Sequence, residues 1–186
     1  TFIAANPSLG HAFEASNLST AATAQHTIAN SVFVASASPD SWGLSLFGAG
    51  AIDINHNTIY NDGVDQSGIG FRLDGTAACG PISFNNNLIA GFDTGVYYFS
   101  QGLTGTNSFD SNLYGDVNTV FGSLGNSLAD DGATVTDNTT DTIANISFVD
   151  AAGLDYSLNA SSTAVDGGLI AYDGTLDRSG LLRTDG

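Results

Sequence analysis

Residues 82–98 read ISFNNNLIAGFDTGVYY. Asn85, Asn86 and Asn87 stand together between Phe84 and Leu88, inside an otherwise apolar stretch. Ile82 and Phe84 alternate with Ser83, the pattern of a strand with one buried face. Three consecutive asparagines interrupt it, and asparagine favours turns because it tolerates left-handed backbone. Apolar residues resume at Leu88 and Ile89, and Gly95 then opens a second alternating run through Val96 and Tyr98. Short strands joined by tight corners cannot bury an apolar face alone; they must stack on neighbouring copies.

Copies are present. An asparagine followed by apolar residues recurs at Asn30, Asn57, Asn87 and Asn112, at intervals of 27, 30 and 25 residues. A glycine that opens a short strand recurs at Gly43, Gly68 and Gly95, at intervals of 25 and 27. Units of this size predict an all-β chain folded as a right-handed parallel β-helix, a solenoid whose inward residues pile into columns. Ile52 and Ile54 fall below Ile82 and Phe84; Val32 and Ile59 fall below Ile89; Leu44 and Leu46 fall below Ile69 and Phe71, with Val96 and Tyr98 above. Asn30, Asn57, Asn87 and Asn112 then form an interior ladder, each amide bonding the next, which satisfies polar groups that burial would otherwise strand.

Composition agrees with many turns and little helix. Glycine numbers 23 of 186 residues, and Glu14 is the only glutamate among 19 acids. Charged residues are only 12%, yet the net charge is −16, because Arg72, Arg178 and Arg183 are the only cations and lysine is absent. Nucleic acid is excluded as a partner, since its phosphates need Lys and Arg. Membrane insertion is excluded too: no stretch approaches the roughly 18 apolar residues of a span. The single cysteine, Cys79, has no intrachain disulfide partner and reads as a small buried hydrophobe.

Residues 1–122 read as the β-helix proper, with 1–26 as an N-terminal cap. Residues 123–186 read as an irregular C-terminal cap and acidic tail of the same domain; "ISFVD" (146–150) and "DYSL" (155–158) are short strands that close the last coil. The first ten residues begin mid-pattern, so that end needs a cap or another subunit.

INHNTIYNDGVDQSGIGFRL (54–73) and ISFNNNLIAGFDTGVYYF (82–99) resemble coils of secreted right-handed parallel β-helix proteins of the pectate-lyase-like superfamily. ISFVDAAGLDYSLNASSTAVDGG (146–168), with DGTLDRSGLLRTDG (173–186) after it, resembles the closing segment of bacterial surface proteins of the choice-of-anchor type. The resemblance implies an extracellular or cell-surface location. It fixes no activity, because the superfamily includes enzymes, adhesins and inert stalks.

Candidate chemistry is sparse. Lyases on this fold use a lysine or arginine base, and only Arg72 is placed in the repeats; its alternation in GFRLDG points it outward, where a surface ion pair with Asp74 or Asp62 is the plainer reading. Hydrolases use paired carboxylates; Asp62, Asp65 and Asp93 are the candidates, all in turns where aspartate is common for backbone reasons. The histidines lack metal-ligand spacing. No cofactor is expected beyond a structural Ca²⁺, for which Asp62, Asp65, Asp130 and Asp131 are the candidate ligands. Trp42, Tyr60, Tyr97 and Phe99 fall near strand ends or on outward positions, suited to stacking on a sugar or to a subunit interface. The expected role is a non-enzymatic extracellular structural or adhesive module, self-associating end to end into a surface filament or binding a surface glycan. The alternative is a carbohydrate-active or carbohydrate-binding β-helix fragment acting on a neutral or cationic glycan.

Overall fold

The computed structural model describes residues 11–16, 25–35, 41–48, 50–62, 67–74, 81–99, 106–123, 134–136, 142–143, 146–162 and 164–165. The described structure is all-β, without a helix. Fifteen strands fall into three parallel sheets of five. The first sheet holds β1 (Phe13–Ser16), β4 (Trp42–Phe47), β7 (Ile69–Asp74), β10 (Thr94–Phe99) and β13 (Thr119–Ser123). The second holds β2 (Gln25–Ala29), β5 (Ala51–Asn55), β8 (Ile82–Asn85), β11 (Thr106–Asp110) and β14 (Thr134–Thr136). The third holds β3 (Val32–Ala35), β6 (Thr58–Asn61), β9 (Leu88–Ala90), β12 (Leu113–Gly115) and β15 (Thr142–Ile143). Each of these fifteen strands pairs with the strand three places away along the chain, so each trio of successive strands makes one tier, five tiers among the described residues. This arrangement is compatible with a β-helix.

Register stacks like on like. In the first sheet Phe13, Leu44, Phe71, Val96 and Phe121 form one column. In the second, Ile28, Ile54, Phe84 and Phe109 form another. In the third, Phe33, Ile59, Ile89 and Tyr114 face them. Phe71 and Phe84 stack across the core at 4.7 Å with their planes 6° apart. Such columns bury each side chain on several neighbours at once, at roughly 25 cal/mol per Å² of apolar surface removed from water.

Three details differ from the sequence reading. Phe33, not Val32, occupies the third-sheet column with Ile59 and Ile89. Phe71, not Ile69, lies over Leu44. The recurring glycine is Gly70, not Gly68, in register with Gly43 and Gly95. These three face inward, against the third sheet. A Cβ on Gly43 would collide with Ile59 Cγ2, one on Gly70 with Ile89 Cγ2, and one on Gly95 would come within 2.8 Å of the Tyr114 ring. The glycine column exists because the third sheet's bulky column needs its space.

The stack also continues beyond residue 122, since β14 and β15 pair in parallel with β11 and β12. Chain segment 146–158 does not close a tier. Its two strands, β16 (Phe148–Asp150) and β17 (Asp155–Leu158), form an antiparallel hairpin. That hairpin lies on the outer face of the third sheet, where Tyr156 packs with Val32 and Val34. Ala164, Ile146 and Leu158 join Leu88 and Ala90 on the same face. The expected N-terminal cap lies largely outside the described residues, as do Cys79, Arg178 and Arg183.

Candidate functional site

The corner between the second and third sheets is two residues long. Its first residue is Asn30, His56, Asn86 or Ser111 on successive tiers, with φ of 54°, 55°, 54° and 54°. Its second is Ser31, Asn57, Asn87 or Asn112, directly before the third-sheet strand. The left-handed first residue turns the chain, and the second points its side chain inward. Asn57, Asn87 and Asn112 are buried at 2%, 1% and 0% exposure. Asn57 Nδ2 donates to Asn87 Oδ1 at 3.0 Å, and Asn87 Nδ2 donates to Asn112 Oδ1 at 3.1 Å. The same Oδ1 atoms accept the backbone N–H of Asn57 and of Asn87. Each Nδ2 also reaches a carbonyl of the preceding tier: Ile28, Ile54 and Phe84 at 2.9, 2.9 and 2.8 Å.

Asn30 stands one position off this ladder. The residue in register is Ser31, whose N–H donates to Asn57 Oδ1 at 3.0 Å while its own hydroxyl turns to Ala29 O. Asn85 faces outward in the second sheet, donating to Ser83 Oγ and accepting from Ser108 Oγ. A further interior amide was not singled out from the sequence: Asn107 is fully buried, and its Oδ1 accepts the Ile82 N–H at 2.8 Å. A lone polar residue at an inward strand position is the signal that marks it.

On the outer face of the first sheet, three tiers meet at Trp42. His11, next to the strand on one side, stacks on the indole at 3.8 Å with planes 20° apart. Arg72, in the strand on the other side, holds its guanidinium 3.9 Å from the ring centroid. Arg72 also pairs with Asp74 at 2.8 Å, and His11 lies 3.4 Å from Glu14. Trp42 is thus engaged by neighbours from both adjoining tiers, and Arg72 is committed to a carboxylate and an aromatic face. A guanidinium so held stabilises the sheet by cation–π and ion-pair contact. Tyr97 follows Arg72 in register and leans toward Gly122, where a Cβ would approach its ring to 2.9 Å.

Tyr60 belongs to a different face. It is half-buried beneath the hairpin, 5.0 Å from Phe148 and 5.6 Å from Tyr156. Burial, then the charges of Asp62 and Asp116, raises the Tyr60 phenol above its ordinary pKa. Burial, then Asp62 and Tyr60, does the same to Tyr156. Trp42, Tyr60 and Tyr97 are therefore not gathered on one surface. The side chain of Phe99, and the whole of Asp65, Asp130 and Asp131, lie outside what is described.

Asp62 and Asp93 are exposed, in connections between the third and first sheets on successive tiers. Asp93 accepts the Asn118 side-chain amide at 3.0 Å. Arg72, on the first sheet's outer face, pairs with Asp74. Among the described residues no group of three or more His, Cys, Asp or Glu is placed to hold a metal ion. None of the described helices is long and apolar enough to cross a membrane, since there are none. No protein-family model, no curated protein and no solved structure matches the chain.

Proposed function

We propose that this chain is an extracellular, non-enzymatic structural or adhesive module built as a right-handed parallel β-helix. One observation carries the reading: the buried polar side chains of Asn57, Asn87 and Asn112 are engaged in tier-to-tier hydrogen bonds on three successive tiers. A polar interior of this kind is committed to rigidity and register, the requirements of a scaffold. The engagement of Arg72 by Asp74 and Trp42 points the same way. The resemblance of residues 54–73 and 82–99 to pectate-lyase-like coils, and of 146–186 to choice-of-anchor surface proteins, supports the secreted, surface-borne part.

A second reading, recognition of a neutral or cationic glycan, is favoured by the exposed carboxylates Asp62, Asp93 and Asp116 on three successive tiers. A surface carrying −16 repels polyuronates and attracts amino sugars. One experiment divides the two. The purified chain is incubated with neutral, amino-sugar and uronic polysaccharides, with and without Ca²⁺, and both retained protein and released products are measured. The structural module releases none and is retained selectively by none; selective retention on the amino-sugar polysaccharide favours recognition. Product that disappears in Asp62→Asn or Asp93→Asn would replace the scaffold reading with an enzyme.

A further inference from the structure

We propose that Asn159 is a glycan-acceptor site, whose side-chain amide takes a sugar from an anomeric diphosphate donor carried on a lipid or on a nucleoside. The proposal goes beyond the module reading and does not rest on it. Four Asn-X-Ser/Thr triplets without a central proline occur in the chain, at Asn17, Asn138, Asn145 and Asn159. The pattern marks an asparagine that glycosyl transfer can use. Of the four, Asn159 alone is among the described residues, and it is exposed together with Ala160 and Ser161.

The fold holds this triplet out as a short arch pinned at both feet. At the first foot, directly after β17, the Asn159 N–H donates to Ser147 O at 2.8 Å. At the second, the Ser162 hydroxyl accepts the N–H of the same Ser147 at 3.3 Å, and Ser162 itself is buried. A turn closes between the feet, from Ser162 N–H to Asn159 O at 2.8 Å. Within the arch Asn159 Oδ1 accepts two bonds from Ser161, one from its N–H and one from its hydroxyl, each at 3.1 Å. A turn asparagine needs only the first of these; the second requires a hydroxyl at that position. Asn159 Nδ2 donates to none of the described residues, so substituting it removes no bond among them.

The chemistry follows from that division. An amide nitrogen is a poor nucleophile because its lone pair is delocalised onto its oxygen. As Nδ2 attacks the anomeric carbon, the new N–C bond forms and the C–O bond to the diphosphate breaks. The electron pair leaves with the diphosphate, and one Nδ2 proton passes to a base of the transferase. Departure of that proton pushes negative charge onto Oδ1, where the two Ser161 donors stabilise it. The product keeps both Oδ1 contacts, so the arch is the same before and after.

The test uses the full 186-residue chain, folded, with two donors. One is a nucleoside diphosphate glucose with a soluble asparagine glycosyltransferase; the other is a polyprenyl diphosphate oligosaccharide with a membrane oligosaccharyltransferase. Peptide mass mapping reads occupancy at Asn159, and the melting temperature reads the fold. At least one donor should load Asn159, and which one does so identifies the source. Ser161→Thr should keep the occupancy, whereas Ser161→Ala and Asn159→Gln should reduce it to background in folded protein. The loaded chain should melt with the unmodified one. Modification of the denatured chain but not of the folded one would show the arch to be closed to the enzymes and overturn the site. Failure on both forms would overturn the acceptor itself. Full occupancy in Ser161→Ala would overturn the part given to the hydroxyl, and a lowered melting temperature of the loaded chain the freedom of Nδ2.

Discussion

Asn87 Oδ1 accepts two hydrogen bonds from Asn57, one from its backbone N–H at 3.1 Å and one from its Nδ2 at 3.0 Å. One side-chain atom thereby fixes both the turn and the amide of the tier before it. Neither donor has access to water as a substitute, since Asn57 is 2% exposed. The pair is the unit from which the ladder is made.

Replacing Asn87 by leucine removes that acceptor and also the donor to Ile54 O and Asn112 Oδ1. We expect a loss of about 2–4 kcal/mol, from two or more buried groups left unpaired at roughly 1–3 kcal/mol each. Asn86→Gly at the neighbouring corner position should be close to neutral, since its φ of 54° suits glycine. Urea denaturation of the two variants against wild type checks the contrast; equal effects would mean the ladder is not the stabilising element.

Gly70→Ala is expected to destabilise by about 1–3 kcal/mol through overpacking. The new methyl would meet Ile89 Cγ2, the Gly95 carbonyl at 2.7 Å and Phe92 at 3.3 Å. Gly48→Ala has open space, with nothing within 4 Å, and costs only the left-handed backbone at φ +57°, about 1–2 kcal/mol. Ile89→Ala, which removes Cγ2, should destabilise less in the Gly70→Ala background than in wild type, a non-additivity that a double-mutant cycle of melting temperatures checks.

Trp42 is the only tryptophan, so its fluorescence reports one site. Arg72→Ala uncovers one side of the indole and should shift its emission to the red. Arg72→Lys keeps the charge but not the planar stack, and should lie between the two, with a stability loss of about 0.5–2 kcal/mol. An emission spectrum unchanged in Arg72→Ala would show that the guanidinium does not rest on the ring in solution.

The two raised phenols set an alkaline limit. In the folded chain Tyr60 and Tyr156 hold their protons at a pH where the unfolded chain, with phenols near 10, has begun to release them. Their contribution to stability is therefore complete below about pH 10 and is lost as pH rises through the folded values. Ultraviolet titration of phenolate absorbance should show two tyrosines ionising late, and together with release of the hairpin to protease. In Tyr60→Phe one late ionisation disappears.

Much of this architecture was readable because residue type and tier position coincide. Ile52, Ile54, Ile82 and Phe84 alternate cleanly, and their register follows from that alternation. Register failed where the markers were polar and adjacent. Asn30 and Ser31 both suit a corner, and only the pairing of Val32 with Thr58 decides which one meets Asn57. Gly68 and Gly70 are likewise two residues apart, and the inward one is distinguished by Ile89, a contact from another sheet. The hairpin's seat had a signal that alternation conceals: Val32 to Ala35 and Leu88 to Ala90 are buried at every position, the mark of strands covered on both faces. Trp42, Tyr60 and Tyr97 looked alike as outward aromatics, yet their partners His11, Phe148 and Gly122 come from distant segments that no local pattern links to them.

The corner residues Asn30, His56, Asn86 and Ser111 share one backbone angle while differing in chemistry. Geometry there is held by the residue that follows and by the strands on either side, so the identity of the corner residue varies among side chains that tolerate left-handed backbone. The stack thus carries, on one edge and at four successive tiers, a position where an imidazole, an amide or a hydroxyl has been exchanged without rerouting the chain. A designer could write a row of chosen functional groups along that edge, one per tier, at the separation of neighbouring strands.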